Sequence, residues 1–165
     1  MRTQTTAPTV WDAFAQTSQA LEQVGVTDVS IEAEVLVRLA ARMNRSQYFA
    51  NLREPLTEDQ SRALDGFVRR RVASEPLAYI AGEREFYGLS IRVDSRVLIP
   101  RQETELLVDL ALEFLDTKRS MVERRDGSQA STVVADICTG SGAVAVAIAA
   151  NAPNVRVMAT DLSAD

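Results

Sequence analysis

The chain has 165 residues, 46% of them apolar and 25% charged, with a net charge of -5, one cysteine and no histidine, the profile of an ordinary globular chain of one domain or two small ones. No run approaches the roughly 18 to 20 apolar residues of a membrane span, and Met1 to Thr9 lacks an apolar signal core, so the expected address is the cytoplasm without membrane contact. One cysteine excludes an intramolecular disulfide, the missing imidazole excludes His-based metal sites and Ser-His catalysis, and the negative balance argues against general nucleic-acid affinity.

From Thr9 to Val24 the positions Val10, Phe14, Leu21 and Val24, with Trp11 beside them, approach amphipathic helical spacing, and Gly25 is a stop signal. Trp11 and Phe14 read as core residues. Ser30 is the expected cap of a second helix with the stripe Ile31, Val35, Leu36, Leu39, Ala40 and Met43. A short helix is expected over 46–52, ending ahead of Pro55. Thr57 and Gln60 have capping-box spacing, and Leu64, Phe67, Val68 and Val72 give the following helix its buried stripe. Arg69 to Arg71, beside Glu58, Asp59 and Asp65, read as a solvated helix face, and Arg124-Arg125 is the other basic cluster. Residues 1–73 thus read as a small helical bundle.

The character changes at Ser74-Glu75-Pro76. Alternation in Leu89-Ser90-Ile91-Arg92-Val93 and the break at Gly88 predict a hairpin with arms over 84–87 and 89–93. From Thr104, Leu106, Leu107, Leu110, Ala111, Phe114 and Leu115 form a broad apolar helical face. Glu103 and Glu105 stand at its start, where carboxylates cap a helix, although such a pair also suits acid/base chemistry. Residues 118–131 are polar and hold the turn signal Asp126-Gly127. Val133 to Ile137 suits a parallel strand covered on both faces, the segment from Gly142 to Ala150 a crossover helix, and Val155 to Thr160 a second strand ending in Asp161.

Between the first of these strands and its helix lies Cys138-Thr139-Gly140-Ser141-Gly142. Glycines there allow close backbone approach to a ligand, and helix N-terminal N–H groups face whatever sits above the loop. Gly140-Ser-Gly142-Ala-Val-Ala145 fits the alanine form of the dinucleotide pattern. Asp136-Ile-Cys138-Thr-Gly140-Ser-Gly142 equally resembles the acidic, glycine-rich pattern of S-adenosylmethionine enzymes, with cysteine in the first glycine slot. Asp161 is placed to accept from two ribose hydroxyls of either ligand, so the loop by itself leaves both readings open. Cys138 reads as a small, half-buried loop residue without a partner base, tolerated in a glycine slot if its φ is negative.

Three motifs in order, Gly82-Glu83-Arg84-Glu85-Phe86-Tyr87-Gly88, then Leu98-Ile99-Pro100-Arg101-Gln102-Glu103-Thr104-Glu105, then Val134-Ala-Asp-Ile-Cys-Thr-Gly-Ser-Gly142, resemble the peptide chain release factor glutamine N5-methyltransferases of the HemK/PrmC type. The resemblance implies an α/β fold: a helical release factor-binding domain over 1–73, a linker with a β-hairpin over 74–98, and over 99–165 the first βαβ unit of a Rossmann-like methyltransferase domain, truncated. It implies transfer of a methyl group from S-adenosyl-L-methionine to the side-chain amide nitrogen of the Gly-Gly-Gln glutamine of a release factor. By the same resemblance Cys138, Thr139, Gly140, Ser141 and Gly142 line the cofactor, Asp161 holds its ribose, and Arg101, Glu103 and Glu105 stand on the substrate side. Gln102 replaces a common proline. The family's Asn-Pro-Pro-Tyr loop, which orients the target amide, has no counterpart, because none of Asn44, Asn51, Asn151 and Asn154 precedes a proline. The chain by itself is therefore expected to be inactive, with no catalytic residue and no metal site. The alternative is a non-catalytic protein-binding module of bundle and hairpin.

Overall fold

The computed structural model describes residues 7–121 and 132–164. The turn expected at Asp126-Gly127 and the pair Arg124-Arg125 lie outside them. The chain divides into two compact units, 1–81 and 82–165. The first is helical; the second is mixed, with a hairpin and a two-stranded parallel sheet.

In the first unit, α1 (Val10–Gln23), α3 (Arg45–Ala50) and α4 (Glu58–Val72) each begin with a reciprocal capping box, formed by Thr9 with Asp12, Asn44 with Gln47 and Thr57 with Gln60. Each box satisfies two backbone N–H groups that a helix start otherwise leaves unpaired. α2 (Val29–Ala41) departs from expectation. Its cap residue is Asp28, which makes no side-chain capping bond, and Ser30 lies inside the helix. Its buried face is Ala33, Leu36, Val37, Ala40 and Ala41, while Ile31 is 63% exposed. Apolar residues surround α2 on most sides, so spacing did not single out the face on which small alanines allow close approach. Leu21 of α1 and Leu36 and Val37 of α2 are fully buried with Val10, and Leu64 of α4 joins the same core. The segment after α3 is strapped to the start of α1, with the N–H groups of Val10, Trp11 and Leu56 donating to the carbonyls of Glu54, Leu52 and Pro8.

Two further expectations change here. Trp11 is 55% exposed, and only Phe14 packs against the core. Of the three arginines, Arg69 and Arg70 are exposed as expected, the first donating to the carbonyl of Asp65 and the second pairing with Glu75, but Arg71 is largely shielded and pairs with Glu32. A short helix, α5 (Leu77–Ala81), with Ile80 buried, continues the unit beyond Pro76.

In the second unit β1 (Glu83–Phe86) and β2 (Leu89–Arg92) pair antiparallel, with Phe86 opposite Leu89. Tyr87 belongs to the turn rather than to an arm, and it and Gly88 both have positive φ, 53° and 72°. Two-residue turns of this kind match the strand twist and normally favour Asn-Gly. After a 3-10 turn over Gln102–Thr104 comes α6 (Glu105–Met121). Its buried residue is Val108, whereas Leu106, Leu107, Leu110 and Phe114 are exposed, Phe114 at 60%. The broad apolar face expected there is thus split, one part against the unit and the other facing water.

β3 (Val133–Ile137) and β4 (Arg156–Thr160) are parallel neighbours in the register Val133 to Arg156 through Ile137 to Thr160, joined by α7 (Ala143–Asn151). Val134, Asp136 and Val157 are half-buried; Val133, Ala135, Ile137 and Met158 are exposed. Among the described residues β3 is covered on one face only, not on both. No helix among the described residues is long and apolar enough to cross a membrane.

Candidate cofactor site

β3 hands directly into the glycine-rich loop. Cys138, Gly140 and Gly142 have φ of 62°, 53° and 77°, so three of the five loop residues lie in the left-handed region. Gly142 is the N-cap of α7 and offers no side-chain cap. A Cβ added at Gly140 would meet nothing within 4 Å, so the glycine serves backbone conformation and leaves open space in front of the loop. Cys138 departs from the expectation in both respects: it is exposed, and its φ is positive in the slot where glycine is favoured.

Hydrogen bonds hold this shape. Oδ2 of Asp136 accepts from the Thr139 hydroxyl at 2.6 Å and from the Ala145 N–H at 3.1 Å, bracing the loop from β3. The Thr139 N–H donates to the Thr160 carbonyl at 3.0 Å, and the Gly142 N–H to the Thr139 carbonyl at 2.9 Å. From the tip of β4, Oδ2 of Asp161 accepts from the Gly140 N–H at 2.8 Å and Oδ1 from the Ser163 N–H at 3.0 Å. These bonds favour the carboxylate, the Gly140 bond most, and hold the Asp161 carboxyl below the ordinary aspartate range. Asp161 and the loop are therefore brought together.

The brace by Asp136 went unassigned in the sequence, although an acid three residues before a threonine was a readable local signal. The Thr160 carbonyl carried no signal, because every strand residue has one.

The other three expected residues lie elsewhere. Arg101 and Glu103, at and inside the 3-10 turn, are exposed, and neither is joined to the loop by a hydrogen bond or ion pair among the described residues. Glu105 stands in the first turn of α6, as expected, and has a partner outside the helix. Its carboxylate accepts the Tyr87 N–H at 2.9 Å, while the Tyr87 hydroxyl donates to Asp109 at 2.7 Å. Two acids of α6 thus hold the hairpin turn, and the Asp109 bond chiefly raises the Tyr87 phenol above its ordinary value. A surface depression of about 530 Å³ on the helical unit, lined by Thr17, Ser61, Leu64, Asp65 and Arg69 among others, contains none of the expected site residues.

In chemical terms the loop offers open space, donors at a helix start and a fixed carboxylate nearby, which fits a nucleoside-bearing ligand. Residues 12–82 match the family model described as the PrmC N-terminal domain. Over 92% of its length the chain is 38% identical to a release factor glutamine methyltransferase of Coxiella burnetii, covering 50% of that protein. Over 94% it is 38% identical to one of Rhodopirellula baltica, again covering 50%. It is also 33% identical over 92% of its length to a bifunctional methyltransferase of Rickettsia felis, covering 32% of that chain. The chain spans about half the length of the release factor glutamine methyltransferases it matches. Residues 12–82 thus carry the pattern of a PrmC N-terminal domain, and the acid-braced glycine loop falls with them in the span over which the chain is similar to release factor glutamine methyltransferases.

Proposed function

We propose that this chain forms the S-adenosyl-L-methionine cradle and the protein-binding bundle of a cytoplasmic methyltransferase acting on the Gly-Gly-Gln glutamine of a peptide chain release factor. In this reading β3, α7 and β4 are the first βαβ unit of a Rossmann-like domain, residues 1–73 bind the release factor, and 74–98 link the two. When bound, the cofactor supplies an electrophilic methyl group on a sulfonium. Transfer of that group would form a carbon–nitrogen bond, break the carbon–sulfur bond and release one amide proton to solvent. Cys138 to Gly142 approach the ligand with their backbone, and Asp161 receives the ribose hydroxyls. An amide nitrogen is a poor nucleophile and needs alignment and preorganised acceptors. The chain offers no Asn-Pro to do this, so transfer by these 165 residues alone is expected to be negligible.

The observation that carries the cofactor reading is the placement of two carboxylates on the donors of the loop. A dinucleotide sets its pyrophosphate on the N–H groups of a helix start. Here the Ala145 N–H is taken by Asp136 and the Gly140 N–H by Asp161. Negative charge therefore flanks the place a diphosphate would occupy, which repels that ligand and attracts a sulfonium cation. Calorimetric titration with S-adenosylmethionine and, separately, with NAD tests this. Heat from the first and none from the second is expected; the reverse pattern would return the loop to the dinucleotide class.

A second reading, a non-catalytic protein-binding module, is supported by the aromatic ladder on the bundle. Trp11, Phe14, Tyr48 and Phe49 follow one another at 5.5, 6.5 and 5.2 Å between ring centroids, and the Arg45 guanidinium lies over the Phe49 ring. Both ends, Trp11 and Phe49, are exposed, and aromatic residues with arginine dominate protein-binding hot spots. Release factor binding that survives saturating S-adenosylhomocysteine and fails in a Trp11→Ala, Phe49→Ala chain would favour it.

A further inference from the structure

We infer that Asp161 is a positioning residue for the glycine-rich loop, setting the conformation of Gly140 before any ligand is bound. Its encounter with ribose rests on the cofactor reading above; the positioning role does not. Nothing packs within 4 Å of where a Gly140 side chain would be, so contacts at that point do not hold the backbone at its φ of 53°. Hydrogen bonds remain. Asp136 holds the loop at Thr139 and at the helix start, which leaves the stretch between them to Asp161.

The bond from Gly140 to Asp161 joins residues 21 apart in the chain and links the loop to the tip of the neighbouring strand. The Ser163 N–H holds the other oxygen at 3.0 Å, and the Leu162 backbone adds a weaker contribution, so both carboxylate oxygens are engaged and the plane of the group is set. A carboxylate oxygen accepts two hydrogen bonds. About four acceptor sites exceed these backbone donors, so capacity stays available to a ribose hydroxyl, and the same side chain both shapes the loop and meets the sugar.

This separates two explanations of an Asp161 variant. If Asp161 only touched ribose, a nucleoside without the 2′- and 3′-hydroxyls would bind the wild type and Asp161→Ala equally. If it also positions the loop, that nucleoside loses affinity as well.

The experiment uses the 165-residue chain with Asp161→Ala and with Asp161→Asn, which keeps the side-chain volume and one acceptor oxygen. Amide exchange is read at Gly140, with Ala147 of α7 as the folding reference, and affinity is read with adenosine and 2′,3′-dideoxyadenosine. Gly140 should exchange about tenfold faster in Asp161→Ala, as for loss of one hydrogen bond to a charged group, and stay close to wild type in Asp161→Asn, with Ala147 unchanged. Both nucleosides should weaken in Asp161→Ala. Unchanged Gly140 exchange in Asp161→Ala overturns the positioning role, as does a loss confined to adenosine, which leaves the ribose reading standing. Faster exchange with both nucleosides weakened by the same factor supports positioning and removes the ribose reading. If neither nucleoside binds the wild type, exchange alone decides.

Discussion

Arg71, in the last turn of α4, holds Glu32, in the first turn of α2, through two hydrogen bonds, and the two side chains are only 19% and 16% exposed. A largely shielded, bidentate pair between residues 39 apart in sequence fixes how two helices meet. Removing one partner leaves the other charge half-buried. Arg71→Ala should cost about 2 kcal/mol, between the values for exposed and fully buried pairs. Urea unfolding followed by the far-ultraviolet dichroism of the helices measures this, and a loss below about 0.5 kcal/mol would class the pair as an ordinary surface contact.

Cys138 is a non-glycine residue at φ 62°. A side chain there costs about 1 kcal/mol, part of which glycine returns as greater freedom in the unfolded chain. Cys138→Gly should therefore leave stability unchanged or raise it slightly, whereas the β-branched Cys138→Val should lower it by about 1 to 2 kcal/mol. Thermal melts followed by far-ultraviolet dichroism give the comparison.

The hairpin turn depends on α6. Glu105→Ala removes the acceptor of the Tyr87 N–H, and Tyr87→Phe removes the bond to Asp109. Each should cost about 1 kcal/mol. Glu105→Gln, which keeps an acceptor oxygen, should lose less than Glu105→Ala. Faster amide exchange across β1 and β2 in Glu105→Ala is the expected signature; equal protection in both variants would show that the turn holds itself.

The Asp161 carboxyl is held below its ordinary value by the N–H groups of Gly140 and Ser163. For an acid depressed in the folded state, the stabilisation is fully present above the unfolded value and is lost as pH falls through the folded one. Loop order should therefore be constant from neutral pH down to about pH 5 and decline below the ordinary aspartate value of about 3.9. The Gly140 amide proton shift in wild type and in Asp161→Asn checks the sign, since the asparagine variant should lack that contribution to the titration.

Leu106, Leu107, Leu110 and Phe114 form an exposed apolar stripe on α6, and Val133, Ile137 and Met158 are exposed on the open face of the parallel pair. Apolar surface of this extent promotes association. Sedimentation should show concentration-dependent oligomers of the chain, and Leu110→Glu with Phe114→Glu should reduce them. A monomer at every concentration tested would count against this expectation.

What the sequence disclosed was mostly local. The Thr57 and Gln60 capping box, the break at Gly88 and the change from strand to glycine loop each depend on residues a few positions apart, and each stands where spacing placed it. The misses share a cause. Which face of α2 is buried depends on the helices it meets, and Ile31 lost that place to Ala33 and Val37. Arg71 found Glu32, Tyr87 found Glu105 and Gly140 found Asp161, pairings separated by 39, 18 and 21 residues that no local pattern encodes. The positive φ of Cys138 and Tyr87 was hidden for another reason: both are residue types that ordinarily avoid it.

Trp11 is the only tryptophan in the chain, and it stands on the outer side of α1 with its ring 5.5 Å from that of Phe14. Its emission is therefore that of an indole already in contact with water, and the colour shift on unfolding is small. The signal belongs to the bundle alone. A melt followed at this wavelength records the helical unit and passes over the glycine loop, the hairpin and the parallel strands in silence, so a chain whose second unit has lost its order can still display an unchanged fluorescence signal.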